Sequence, residues 1–119
     1  MNKVPHNLAG SVIVLGTLQF APPDRAKFLA IASVLRENAL AQPECLRYEQ
    51  LPEPGDLEHV HVIEHWANGE AFAAHVSSSY FRDFTEQMRR IPMLREPDID
   101  QVEVHSTYAL SASSEPPSA

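Results

Sequence analysis

Cysteine is nearly missing from this chain, which has one, Cys45, in 119 residues. That excludes an intrachain disulfide and a multi-cysteine zinc site, and it points to a cytoplasmic protein. Basic residues are also scarce, nine against sixteen acidic ones, for a formal net charge of −7. Arg89 and Arg90 form an isolated pair rather than a basic patch, so no nucleic-acid partner is expected. Long apolar runs are lacking too. The longest, SVIVLG at 11–16, is strand-sized and well short of the ~20 residues that span a bilayer, so no membrane segment is expected. The opening MNKVPHNLAG lacks the apolar stretch of a secretion signal.

What remains is a chain with 44% hydrophobic residues, enough for one domain with a modest core. The domain is expected over residues 10–110. The tail SASSEPPSA at 111–119 is small, polar and proline-rich, the composition of a disordered segment. Residues 1–9 are expected to be loose.

Residues 11–20 are β-branched and apolar and read as a first strand. Pro22, Pro23 and Asp24 then open a helix, with Asp24 suited to capping it. Phe28, Ile31, Ala32, Leu35 and Ala39 recur on one helical face, and Pro43 ends it. CLRYEQL at 45–51 and EHVHVIEHW at 58–66 read as a hairpin joined by PEPGD. In the first of these strands Leu46 and Tyr48 share a face. In the second, Val62, Glu64 and Trp66 do.

Asn68 suits the cap of a short helix carrying Phe72, His75 and Val76. A serine run follows, and Ser79 can cap a further helix with Phe81, Phe84, Met88 and Ile91 along it. Residues 99–109 alternate as a fourth strand, with Val102 and Val104 on one face. The order is β-α-β-β-α-β with the second helix broken. It is a ferredoxin-like α+β pattern with a four-stranded antiparallel sheet. Helices on one side leave the other face of such a sheet bare, and a second copy covering it would give a closed homodimer.

PECLRYE at 43–49, IEHW at 63–66, EAFAAH at 70–75 and SSYF at 78–81 occur in that order. Together they resemble the antibiotic biosynthesis monooxygenase family from the first strand through the fourth. The resemblance implies a dimeric α+β barrel with a cleft between sheet and helices. Members include oxygenases that act on polycyclic phenols or quinols with O₂ and without metal or flavin, and others that degrade haem. Two departures stand out. In the polyketide oxygenases the third-strand Trp is accompanied by an Asn four residues upstream and a Tyr on the next helix. Here only Trp66 matches, and Val62 and Phe72 hold the other two positions. The haem degraders place an axial His early in the last helix, and YFRDFTEQM has none. Tyr80 stands where many members have His.

Each of these residues has two readings. Trp66 is either a core aromatic or a wall that stacks a planar ligand. Glu64, beside it on the strand, is expected to pair with Arg47 or else to be an acid of raised pKa. His75 is either a structural residue or a base, with an ordinary pKa of about 6.5 suited to taking a phenol proton. His59, His61 and His65 share a face, but His59 and His65 stand about 20 Å apart at about 3.3 Å per residue. One ion cannot bridge them, so no metal is expected.

The first functional reading is a monooxygenase without metal, flavin or other cofactor, oxidising a quinol-like or polycyclic phenolic substrate with O₂. His75 would be its base, with Trp66, Phe72, Tyr80, Phe84 and Val62 holding the substrate. The alternative is a non-catalytic dimeric binding module for an aromatic or apolar metabolite, in a stress or sensing role.

Overall fold

The computed structural model describes residues 7–110, so the expectations for 1–6 and for the tail 111–119 lie outside the described residues. The elements run β1 (Val12–Gln19), α1 (Pro22–Leu40), β2 (Cys45–Pro52), β3 (His59–Trp66), α2 (Gly69–Val76), α3 (Ser79–Met88) and β4 (Asp98–Glu103). The strands form one sheet in the order β2-β3-β1-β4, with every neighbouring pair antiparallel. This is the expected ferredoxin-like α+β arrangement. No helix among the described residues is long and apolar enough to cross a membrane.

Alternation decides which side of the sheet meets the helices. Val12, Val14 and Leu18 of β1 and Val60, Val62, Glu64 and Trp66 of β3 are buried. Phe28, Ala32, Leu35 and Ala39 of α1 close over them. The core has two adjoining parts. Leu18, Phe20, Phe28, Ala32, Val60, Val62 and Ile91 make one, with Phe20 and Phe28 stacked at 4.8 Å. Val12, Val14, Leu35, Ala39, Cys45, Tyr48 and Trp66 make the other, which carries the candidate site.

Several local expectations shift by a residue or more. Ala21, not Asp24, is the N-cap of α1. It offers no side-chain bond, and Asp24 instead lies in the first turn, where its charge complements the helix dipole. Ser78, not Ser79, caps α3. β4 spans six residues rather than the eleven expected, and it is exposed at every position. Residues 7–9 are not loose: Leu8 N–H donates to Thr107 Oγ1 at 3.3 Å, and Ser11 N–H donates to Leu8 O at 3.0 Å.

In β2 the register slips between Cys45 and Arg47. This bulge makes Cys45 and Tyr48 the buried residues and leaves Leu46 half-buried, so the expected alternation breaks at Leu46. Arg36 of α1 holds the strand, donating from Nε to Tyr48 O at 2.8 Å and from Nη2 to Glu49 at 3.2 Å. At Gly16 an added Cβ would lie 2.7 Å from Ile99 Cγ1, so only glycine lets β4 close onto β1 here.

None of the described helices lies on the opposite face of the sheet. Leu15, Leu51 and Val102 are exposed there, with Ile13 and Ile63 half-buried among His59, His61 and His65.

Candidate active site

The site forms where the end of β3 meets the junction of α2 and α3. Asn68 caps α2, accepting from Ala71 N–H at 2.8 Å, and its amide reaches Glu44 at 3.3 Å. Ser78 Oγ accepts from Phe81 N–H at 3.1 Å and donates to the His75 carbonyl at 2.6 Å. One serine therefore fastens the end of α2 to the start of α3. That brings the His75 Nδ1 and the Tyr80 hydroxyl to 2.6 Å.

His75 is buried at the centre of a ring of aromatics. The Trp66 indole lies 4.5 Å from its imidazole, Phe81 5.0 Å, Tyr80 5.4 Å and Tyr48 5.5 Å, between centroids. Burial lowers its pKa from 6.5 to about 4, so it is neutral at pH 7. Its Nε2 is sealed from solvent and has no hydrogen-bond partner.

Glu64 Oε1 lies 3.7 Å from Nε2. That is beyond hydrogen-bonding reach. It is also not an ion pair, because burial pushes Glu64 up and His75 down, both toward their neutral forms. The tautomer with hydrogen on Nε2 suits both neighbours: its N–H faces Glu64, and Nδ1 accepts from Tyr80.

Glu64 does not pair with Arg47, which is exposed and lies across from His65 in the register. Glu64 instead accepts from Trp66 Nε1–H at 3.0 Å and is hydrogen-bonded to the Tyr48 phenol, which stands directly across the hairpin. Burial raises the Glu64 pKa against the opposing effect of these two bonds. Burial, with Glu64 second, also holds the Tyr48 phenol far above its ordinary range, so Tyr48 stays a donor.

Glu64 makes the stability of the fold depend on pH. A carboxyl with a raised folded pKa binds more protons when folded than when unfolded above the ordinary value of 4.5, so stability falls as pH rises through that window. Glu64→Gln removes this loss. In urea unfolding compared at about pH 5 and pH 8, wild type should lose more stability at the higher pH than the variant does. Parallel losses would mean that Glu64 ionises as freely in the fold as outside it.

A cleft of about 200 Å³ opens beside this cluster. Gln42, Pro43 and Glu44 form one side, Ala71, Ala74 and Ser78 another, and Trp66, His75 and Tyr80 its floor. Trp66 and His75 are 1% and 2% exposed, so they present only edges to it. Tyr80 is half-buried and lines the cleft with its hydroxyl tied to His75, and burial raises the pKa of that phenol.

Of the residues singled out by sequence, Trp66, His75 and Tyr80 meet at this cleft. Phe72 packs behind it, 6.4 Å from the His75 ring. Val62 is buried in the other half of the core. Phe84 lines a second cleft, between α1 and α3. Tyr48, Gln42, Glu44 and Ser78 were not singled out. The register that sets Tyr48 against Glu64 follows the β2 bulge, which leaves no signal in the sequence.

The three strand histidines each have a separate partner. His59 meets Asp56 at 2.8 Å, His61 meets Glu53 at 3.0 Å, and His65 meets Ser11 at 2.8 Å. Among the described residues no three His, Cys, Asp or Glu side chains converge as a metal site would require.

The family model for antibiotic biosynthesis monooxygenases matches residues 11–87, from β1 into α3. The chain belongs to the antibiotic biosynthesis monooxygenase family. The match stops short of β4, so the likeness to the family model does not extend through the fourth strand as expected. The fold itself recurs in solved structures. A candidate antibiotic biosynthesis monooxygenase of Deinococcus radiodurans superposes with a TM-score of 0.74 at 18% identity, over 85% of this chain and 99% of that one. Another, from Caulobacter crescentus, gives 0.73 at 24% identity, over 82% and 92%. An uncharacterized protein of Synechocystis sp. is 24% identical over 64% of this chain. The chain spans about half the length, 52%, of that curated relative.

Proposed function

We propose that this member of the antibiotic biosynthesis monooxygenase family binds a quinol-like or phenolic aromatic in the cleft beside Trp66 and oxidises it with O₂, without metal or flavin. The observation that carries the reading is the 2.6 Å bond between Tyr80, at the cleft, and the neutral, buried His75. A bound phenol gives its proton to this pair, with Tyr80 as the contact and His75 Nδ1 as the acceptor. The resulting anion is electron-rich enough to pass an electron to O₂, and the two radicals combine at a ring carbon. The peroxide takes the proton back from His75, and where the attacked carbon bears hydrogen, loss of water from the hydroperoxide leaves a carbonyl. One oxygen atom stays on the substrate, the other leaves as water, and the substrate supplies all four electrons. The protein contributes orientation, exclusion of water and the proton acceptor.

The test is oxygen uptake with a panel of quinols against the same incubations without protein and without O₂. Uptake equal to the protein-free rate across the panel would end the oxygenase reading. One observation favours the alternative, a non-catalytic binding module for an aromatic metabolite. With its pKa lowered to about 4, His75 is a weak proton acceptor. Binding without oxygen uptake is the outcome that reading expects.

Assembly as a homodimer belongs to the same proposal. The uncovered sheet face carries exposed Leu15, Leu51 and Val102 together with half-buried Ile13 and Ile63, an apolar surface of the kind that a second copy would cover. Sedimentation at micromolar concentration should give a dimer, and Leu15→Glu at the centre of the face should give a monomer. A folded wild-type monomer would overturn this. The one cysteine, buried, supports a cytoplasmic setting, and the charge of −7 argues against nucleic acid as a partner.

A further inference from the structure

Two clefts of nearly equal size flank Tyr80. One is the candidate site, about 200 Å³, and the other, about 210 Å³, lies between α1 and α3. Tyr80 is the residue common to both linings. We propose that Tyr80 is the specificity-determining partition of this site, confining it to single-ring ligands while its hydroxyl is tied to His75 and admitting fused-ring ligands once it swings aside. The inference rests on the reading of the cleft beside Trp66 as the binding site.

Size is the first argument. An apolar cavity of roughly 150 Å³ takes benzene, so the first cleft suits one substituted ring. Ligand sites for larger molecules run from about 300 to 1,000 Å³, a range that neither cleft reaches alone and that the two reach together. Chemistry is the second. The far cleft has an apolar wall from Ile31, Leu35 and Phe84, and its polar groups are the amides of Asn38 and Gln87 and the Asp83 carboxylate. A second fused ring bearing an oxygen would find both a stacking surface and hydrogen-bond partners there. The tether is the third. Tyr80 sits in the first turn of α3, half-buried rather than locked in the core, and its hydroxyl is bonded to a histidine that is itself fully packed. The ring also packs on the His75 imidazole, 5.4 Å between centroids, and against the core cluster, so packing and the tether together favour the closed position without burying the ring.

Trp66 is the one tryptophan of the chain, so its emission and its indole N–H resonance report occupancy of the cleft without any turnover. The measurement is the affinity of resorcinol and of naphthol, by these signals, for wild type, Tyr80→Phe and Tyr80→Ala. The ratio of the two affinities should move toward naphthol by roughly tenfold or more in Tyr80→Ala, and by less in Tyr80→Phe, which keeps the ring and loses the tether. Should Tyr80→Ala fail to give a native circular dichroism spectrum, Tyr80→Phe decides alone, and its ratio must still move toward naphthol. An unchanged ratio in a folded variant overturns the partition while leaving the binding site standing. No response of Trp66 to either phenol in any of the three proteins overturns the binding reading and the partition with it.

Discussion

His75→Gln should lower the turnover of any quinol that wild type oxidises by ~10²–10⁴-fold, the range lost when a general base is removed. The variant is chosen for its geometry. Glutamine is close to histidine in size and can still accept from the Tyr80 hydroxyl, but it cannot take up the proton. His75→Ala would be a poorer test, because His75 is in contact with five aromatic rings and its loss would leave a cavity.

The wild-type pH profile should carry the same signature. The imidazole must be neutral to accept a proton, and its pKa is lowered to about 4. kcat/KM should therefore stay level from neutrality down to about pH 5 and fall as the imidazole protonates near 4, rather than near the ordinary 6.5. Stability shifts in the same direction. Between 6.5 and about 4 the unfolded chain binds a proton at His75 that the folded chain does not, so stability is lost as pH falls, by an amount on the order of 3 kcal/mol. Circular dichroism at each pH separates the two effects. Equal rates for wild type and His75→Gln would make His75 structural and leave the oxygenase without its base.

Trp66→Ala should be the most damaging single truncation for folding, with a loss of about 3–5 kcal/mol in urea unfolding. The indole is 1% exposed and packs on both His75 and Tyr48. It also donates to Glu64, so truncation leaves a buried carboxyl short of one of its two hydrogen-bond donors. Trp66→Phe separates these contributions. It keeps most of the packing and should cost about 1–3 kcal/mol for the abandoned acceptor. If both variants lost less than about 1 kcal/mol, Trp66 would be a tolerant cleft residue rather than the keystone of this half of the core.

The element order of this protein is written in its sequence. Period-two alternation in β1 and β3, the helical spacing of Phe28, Ala32, Leu35 and Ala39, the proline stops and the Asn68 cap are local signals, decided by residues a few positions apart. The family is legible as well, because CLRYE, IEHW, EAFAAH and SSYF keep their order and spacing. So is the meeting of Trp66, His75 and Tyr80, since all three lie close together in those motifs.

Tertiary structure decided the rest. One extra residue at the β2 bulge moved Cys45 onto the core face and Leu46 off it, and a single-residue slip leaves no mark in composition or period. Hairpin register gave Glu64 to Tyr48 and Trp66 rather than to Arg47. Phe72 and His75, one helical turn apart, divided between the back of the cluster and the floor of the cleft. The pKa of His75 went from ordinary to about 4 because rings from four separate elements closed around it. Burial and register depend on distances between segments remote along the chain. Local pattern sets which elements form, but how they pack sets which side chains lose water, and that loss makes the chemistry of this site.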